Sequence, residues 1–147
     1  MIPASVDDHY LLARTIYGEA RGESFEGKVA VAWVVVNRLN ADSARLDRLY
    51  GNDIGDICTK PLQFSCWHWK DPNYKLLQAA KLDTDPAFRA CLGAACSVLA
   101  EAVPDPTSGA THYYAASLKT PPAWAKGKEP CATIGKHLFF NDIEEDR

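Results

Sequence analysis

The stretch from Phe25 to Asn40, "FEGKVAVAWVVVNRLN", constrains the fold more than any other part of the chain. Its centre, Val29 to Val36, is unbroken apolar sequence and has to be buried wherever it sits. The β-branched residues suit a buried strand. The length of the run and its Asn37-Arg38 and Asn40 ending favour a core helix instead, with Ser24 as its cap. We read it as a helix. At eight apolar positions the run is far too short to cross a bilayer, so no stable membrane insertion is expected.

Immediately before it, "YGEARGE" crowds Glu19 and Glu23 among Gly18 and Gly22. A first helix through "HYLLARTIYGEA", capped by Asp7 or Asp8, places Leu12, Ile16 and Ala20 on one stripe and Glu19 near its C-terminal end. Exposed carbonyls there disfavour a negative charge. Tyr17, Ala20 and the apolar helix beyond add desolvation. Both effects favour a protonated carboxyl, the form a general acid needs, unless Arg14 or Arg21 points at it. The glycines leave room for a bulky substrate. Solvated acids in a turn are the commoner reason for such a pattern. Glu23 and Glu26 are the candidate partners for a two-carboxyl glycosidic mechanism. Glu23 shares a helical face with Glu19 only if helix persists through Gly22, and Glu26 equally suits a first-turn charge.

Composition narrows the class. With 147 residues, 47% apolar and 24% charged, the chain suits one globular domain over residues 1–147 and excludes a disordered or fibrous one. The net charge of −3 and the scattered lysines and arginines argue against nucleic acid. "MIPASVDDHYLLARTI" has no basic start, apolar core or cleavage site, so no secretory signal is visible and synthesis in the cytoplasm is expected. The five cysteines are odd in number, leaving at least one unpaired in a monomer. Cys91 and Cys96 read as buried thiols in "AFRACLGAACSVLAEAV". Cys58, Cys66 and His68 make only a weak zinc set, and no metal or other cofactor is expected.

Beyond Tyr50 the chain is punctuated by Gly51, Gly55 and Pro61 and reads as loop with short helical turns. Helices follow through "YKLLQAAKL" and after Asp85-Pro86, a cap and first-turn pair. "ATHYYAA" and "IGKHLFF" are extended pieces that pair or line a groove. The sum is a mostly α, α+β chain with a small β or irregular part. Aromatics gather in "QFSCWHW" (Phe64, Trp67, Trp69), "THYY" (Tyr113, Tyr114) and at Trp124. Flat rings with polar edges suit sugars, and Gln63, Ser65 and Thr111 stand beside them as hydrogen-bonding groups. Phe64 and Trp67 are as readily core residues. Tyr113 and Tyr114, as neighbours in a strand, should point opposite ways. His112 and His137 read as packing or hydrogen-bonding groups.

"ARTIYGEARGE" followed by "EGKVAVAWVVVNRL" closely resembles the signature of bacterial cell-wall hydrolases of the spore-cortex-lytic-enzyme (SleB) type. "KPLQFSCW", "THYYAASLKTPPAWAKG" and "IGKHLFF" resemble further blocks of that family, in the same order and over nearly all of the chain. The resemblance implies a lysozyme-like domain that cuts peptidoglycan glycan strands between N-acetylmuramic acid and N-acetylglucosamine, with the motif glutamate, Glu19, as catalytic residue. It also implies lytic transglycosylation, in which the muramyl 6-hydroxyl forms a 1,6-anhydro end and one glutamate acts first as acid, then as base. Glu23 is then an electrostatic helper, and Gln63, Phe64, Ser65, Tyr113, Tyr114 and Trp124 are expected to position sugar. The chain departs from the pattern in its cysteines and in lacking a wall-binding repeat and a leader. Those departures suggest a phage endolysin, acting as a monomer on the wall after release. Competing readings are muramidase hydrolysis of the same bond, a cysteine peptidase pairing Cys66 with His112 or His137, and a non-catalytic glycan-binding module.

Overall fold

The computed structural model describes residues 2–43, 50–61 and 63–143. Among these, five α-helices carry a three-stranded sheet: α1 (Val6–Ala20), α2 (Phe25–Ser43), α3 (Ile54–Thr59), α4 (Asn73–Ala79) and α5 (Pro86–Leu99), then β1 (His112–Ala115), β2 (Ala132–Ile134) and β3 (His137–Phe140). Short 3₁₀ turns occupy Ser65–Trp67 and Ala123–Ala125. The mostly α, α+β architecture expected from the sequence is the one observed. No helix among the described residues is long and apolar enough to cross a membrane.

The apolar run is helix α2, and its surroundings explain why helix wins over β propensity. Val29, Val31, Ala32, Val35 and Val36 face the core shared by α1, α3 and α5, while Ala30 and Val34, one turn apart, face Ala110, Ile134 and Phe139 beneath the sheet. A helix buried on both sides is apolar nearly all round. Ser24 Oγ accepts the Gly27 N–H at 3.2 Å, the expected cap. For α1 the cap is Ser5 rather than Asp7 or Asp8: Ser5 Oγ accepts the Asp8 N–H, and the Asp8 carboxylate accepts the Ser5 N–H, each at 3.0 Å. Asp8 is the third residue of a capping box, a role its position three after a serine encodes. Its other oxygen accepts the Gly55 N–H at 3.0 Å and so pins α3 to α1. Asp85 caps α5, with Pro86 in its first turn.

The sheet is antiparallel with β3 in the middle, in the order β1-β3-β2. Both extended pieces read in the sequence are present, as β1 and β3, and they pair. Tyr113 lies opposite Phe139, and Tyr114 opposite Leu138. Side-chain alternation therefore sends Tyr113, His137 and Phe139 toward the helices, and His112, Tyr114, Leu138 and Phe140 to the other face. A two-residue turn, Gly135-Lys136, joins β2 to β3, and its first position has φ +56°, where glycine is favoured. Cys91 is buried as expected, but Cys96 is exposed on the outer face of α5. Five residues along a helix amount to about 500°, which turns the second thiol well away from the face of the first.

Candidate active site

A cleft of about 790 Å³ runs between residues 59–61 and 63–74 on one side and the strand β1 on the other, and Glu19 lines it. A smaller recess of about 420 Å³ adjoins it, lined by Arg21, Glu23, Ser117 and Lys136 among others. Gly18, Glu19, Asn73, Ala115 and His137 border both, so Glu19 sits where the two arms meet. The side chain is half-buried in the last turn of α1.

Its surroundings are sparse. Tyr113 Oη donates to Glu19 Oε1 at 2.5 Å, across the junction of sheet and helix. The Tyr113 hydroxyl is held well above its ordinary pKa of 10.0 by burial, then by the charge of Glu19 and the hydrogen bond to it. It therefore stays protonated and donates throughout the neutral range. Apart from the neighbouring Cys66 thiol, Glu19 has no other protein donor among the described residues. Tyr113 thus fixes one carboxyl oxygen, Oε1, where the two arms of the cleft meet. Arg14 and Arg21 are engaged elsewhere. Arg14 donates to the carbonyls of Leu77 (2.6 Å) and Ala80 (3.1 Å) over the Phe88 ring, and Arg21 donates to the Tyr17 carbonyl at 3.1 Å.

Gly18 serves packing rather than substrate access. A Cβ there would lie 2.5 Å from the Cys66 Cβ and 2.7 Å from its sulfur, so only glycine lets the Ser65–Trp67 turn rest on α1. Gly22, by contrast, borders open space. Trp67 Nε1 donates to Thr15 Oγ1 at 2.8 Å and fixes the same turn from the other side.

Glu23 is four residues from Glu19 but beyond the end of α1, and the shared helical face does not form. Its Oε1 accepts the Lys136 N–H at 2.8 Å and lies 3.4 Å from His137 Nδ1, a long contact that leaves that nitrogen without a good hydrogen bond. Its carbonyl accepts Lys28 Nζ at 2.5 Å. A Cβ on Gly135 would collide with the Glu23 carboxylate. This acid clasps the β2–β3 turn to the start of α2. Glu26 is exposed in the first turn of α2.

The remaining expected site residues divide. Ser65, Tyr113 and Tyr114 line the cleft, as does Gln63, whose Oε1 accepts from Arg38 Nη1 at 2.9 Å. Phe64 borders it too but is only 3% exposed and packs under the Arg38 guanidinium, 4.8 Å from its ring centre, so it is mainly wall. Trp124 is not in the cleft. It packs on the far face of the sheet against His112, Tyr114 and Phe140, with ring centres 4.9, 6.0 and 5.3 Å away, and supports Tyr114 from behind. Proline and alanine neighbours around Trp124 carry no signal that separates these two roles. The sequence reading missed Arg38, which joins three pieces of wall: Nε donates to the Thr111 carbonyl at 2.7 Å, Nη1 to Gln63, and the guanidinium covers Phe64. A lone arginine at the end of an apolar helix was the available hint.

Thr111 and His112 bond to each other at 2.8 Å, and His112 is buried. Cys66 is fully buried, and its thiol is pushed far above its ordinary range by burial first and by the Glu19 charge second. Both are the reverse of what a thiolate nucleophile needs. Among the described residues, no three His, Cys, Asp or Glu side chains are grouped to hold a metal ion.

Comparison with known proteins adds a second, independent line. The profile of the cell wall hydrolase family matches residues 22–140, which takes in Glu23, the wall of residues 59–61 and 63–74 and the sheet and begins three residues after Glu19. The spore cortex-lytic enzyme of Bacillus subtilis (strain 168) is 32% identical over 139 residues, 92% of this chain and 38% of that protein. That of Halalkalibacterium halodurans is 32% identical over 142 residues, 95% of this chain and 37% of that one. The chain thus spans about two fifths of the length of these curated relatives. The catalytic domain of the Bacillus cereus SleB protein superposes with a TM-score of 0.67 at 27% identity, covering 95% of each chain. That of the germination-specific lytic transglycosylase SleB from Bacillus anthracis gives 0.67 at 26% identity, covering 95% of this chain and all of the other.

Proposed function

The chain belongs to the cell wall hydrolase family, and from that premise we propose that it degrades peptidoglycan by cutting its glycan strand as a lytic transglycosylase. The observation that carries this reading is the isolation of Glu19. Among the described residues it is the only carboxylate lining the larger cleft, and the nearest acid in sequence, Glu23, is occupied by the β2–β3 turn. A two-carboxylate hydrolase needs a second acid across the scissile bond, either as nucleophile or to activate water. A transglycosylase does not.

The steps follow from the two unequal oxygens of Glu19. Tyr113 donates to Oε1, which assigns the transferable proton to Oε2. Glu19 gives that proton to the bridging oxygen between the sugars as the C1–O bond breaks. The resulting carboxylate, steadied by the Tyr113 hydroxyl, then accepts the proton of the muramyl 6-hydroxyl as that oxygen bonds to C1. The ring closes as a 1,6-anhydro sugar, no water is consumed, and Glu19 ends protonated for the next cycle. Gln63 and Ser65 on one wall and Tyr114 on the other supply the hydrogen bonds and ring surface that hold the strand across it.

Mass spectrometry of products from purified peptidoglycan tests the proposal. Anhydro-muropeptides are expected. Reducing muramic ends would replace transglycosylation by muramidase hydrolysis, and freed peptide termini would overturn glycan cleavage altogether. Cys66→Ser separates the peptidase reading: glycan cleavage is expected to persist, and complete loss with the fold intact would point to the thiol. Unchanged wall lysis by Glu19→Gln would remove Glu19 as the catalytic acid, and binding without any cleavage by the unmodified chain would leave only glycan binding.

A further inference from the structure

Trp69 is 70% exposed, and it is the only one of the strongly exposed large apolar side chains among the described residues that lines the cleft. An indole left in water on a wall facing Glu19 needs a reason, since burying it would be favourable. The ring is nevertheless held. It lies nearly parallel to the His68 imidazole, 17° between planes and 6.0 Å between centres, with Lys70 Nζ 5.1 Å from its centre. His68 Nδ1 accepts the Lys70 N–H at 3.1 Å, and the His68 N–H donates to the Ser65 carbonyl at 2.9 Å. Further along, Asn73 N–H donates to Asp71 Oδ1 at 2.8 Å, closing the turn that leads into α4. These bonds fix the backbone that presents the ring, which limits the freedom lost on binding.

Its place relative to Glu19 is informative. Glu19 borders both arms of the cleft, whereas Trp69 borders only the larger one. A sugar resting on Trp69 is therefore to one side of the bond at Glu19. We propose that Trp69, backed by His68, forms a distal saccharide subsite that grips an additional sugar of the glycan strand and makes cleavage depend on strand length. The chemistry is that of a pyranose, whose C–H face carries slight positive charge, on an electron-rich indole face. The Lys70 ammonium over the ring suits an anionic group carried near the sugar, such as the free lactyl carboxylate of an unsubstituted muramyl unit. This inference rests on the glycan-cleaving reading above.

The test uses defined glycan oligomers of the N-acetylglucosamine–N-acetylmuramic acid repeat, lengthened by two sugars at a time, with the unmodified chain, Trp69→Ala and Trp69→Phe. In the unmodified chain KM should fall stepwise by about tenfold at the length that reaches Trp69, the size expected of one good aromatic contact. Trp69→Ala should remove that step with kcat within about twofold, and Trp69→Phe should restore most of it. A step of the same size in Trp69→Ala, or no step in any of the three, overturns the subsite. Binding of the same oligomers to Glu19→Gln reads the step without catalysis. Binding with the step but no cleavage by the unmodified chain would sink the proposed reaction and leave the subsite standing.

Discussion

Glu19 and Glu23 are the same residue type four positions apart, yet the fold treats them oppositely. Glu23 is tied to the β2–β3 turn: its Oε1 takes the Lys136 N–H and faces His137, its carbonyl takes Lys28, and glycines at 27 and 135 make space for it. Glu19 is tied to no turn: Tyr113 meets its Oε1, the Cys66 thiol lies beside it, and the residue borders both arms of the cleft. A carboxylate bonded to the backbone of a turn is a structural clasp. One held by a hydroxyl at the junction of two cavity arms is available for proton transfer. The difference between the two lies in the helix end at Ala20, which releases Glu23 toward the sheet and keeps Glu19 on the wall.

Exchanging the acids for neutral groups should expose this asymmetry. Glu19→Gln should lower turnover on peptidoglycan at least about a thousandfold, or about 4 kcal/mol in barrier, while leaving Tm within about 2 °C. A comparable loss from Glu23→Gln with Glu19→Gln active would invert the comparison. Glu23→Ala should act the other way, costing about 1 kcal/mol of stability because the exposed Lys136 N–H exchanges its carboxylate acceptor for water. Its measure is denaturant unfolding, with residual activity well above that of Glu19→Gln. Stability unchanged in Glu23→Ala would show that the clasp carries no weight.

Tyr113→Phe should lower kcat by about ten- to thirtyfold, corresponding to one hydrogen bond to a charged group, with little change in unfolding. Equal effects on kcat and on stability would place Tyr113 with the clasp instead of the open acid. A separate effect, confined to alkaline pH, concerns the helical core behind Glu19. Burial raises the Cys58 thiol from 9.0 to about 12 and the Cys91 thiol to about 11. Below pH 9 both folded and unfolded chains keep these protons. Above it the unfolded chain loses them first, so stability should fall by about 1.4 kcal/mol per pH unit for each thiol until its folded value is passed. Tm measured from pH 8 to 11 should decline, less so in Cys58→Ala, and Glu23→Ala should lower the curve without changing its slope.

Much of the frame was legible because its signals are local. The apolar run, the Ser24 cap and the Asp85-Pro86 start lie within a few residues of the elements they define. Strand β2 was not legible: "ATI" has three residues and no alternation of its own, and its pairing is imposed by β3. The cap of α1 was misplaced by two or three positions, because Ser5, Asp7 and Asp8 are all capping residues and only the reciprocal bond between Ser5 and Asp8 decides among them. Within the site, Ser65, Tyr113 and Tyr114 came to the cleft as expected, whereas Trp124 went behind the sheet. Composition gives aromatic rings but not the face of the strand they meet.

The sequence by itself determined that this chain would build a helical core around Val29–Val36 and end a helix at an acid-and-glycine joint. Hydrophobic periodicity, caps and glycines act through neighbours in the chain, so they can be read there. The tertiary structure alone decided which acid would be left open, since the groups that choose between Glu19 and Glu23 are Tyr113 and Lys136, about a hundred residues away in sequence. Hydrogen bonds of that range depend on how the sheet docks against α1 and α2, and no local pattern encodes the docking.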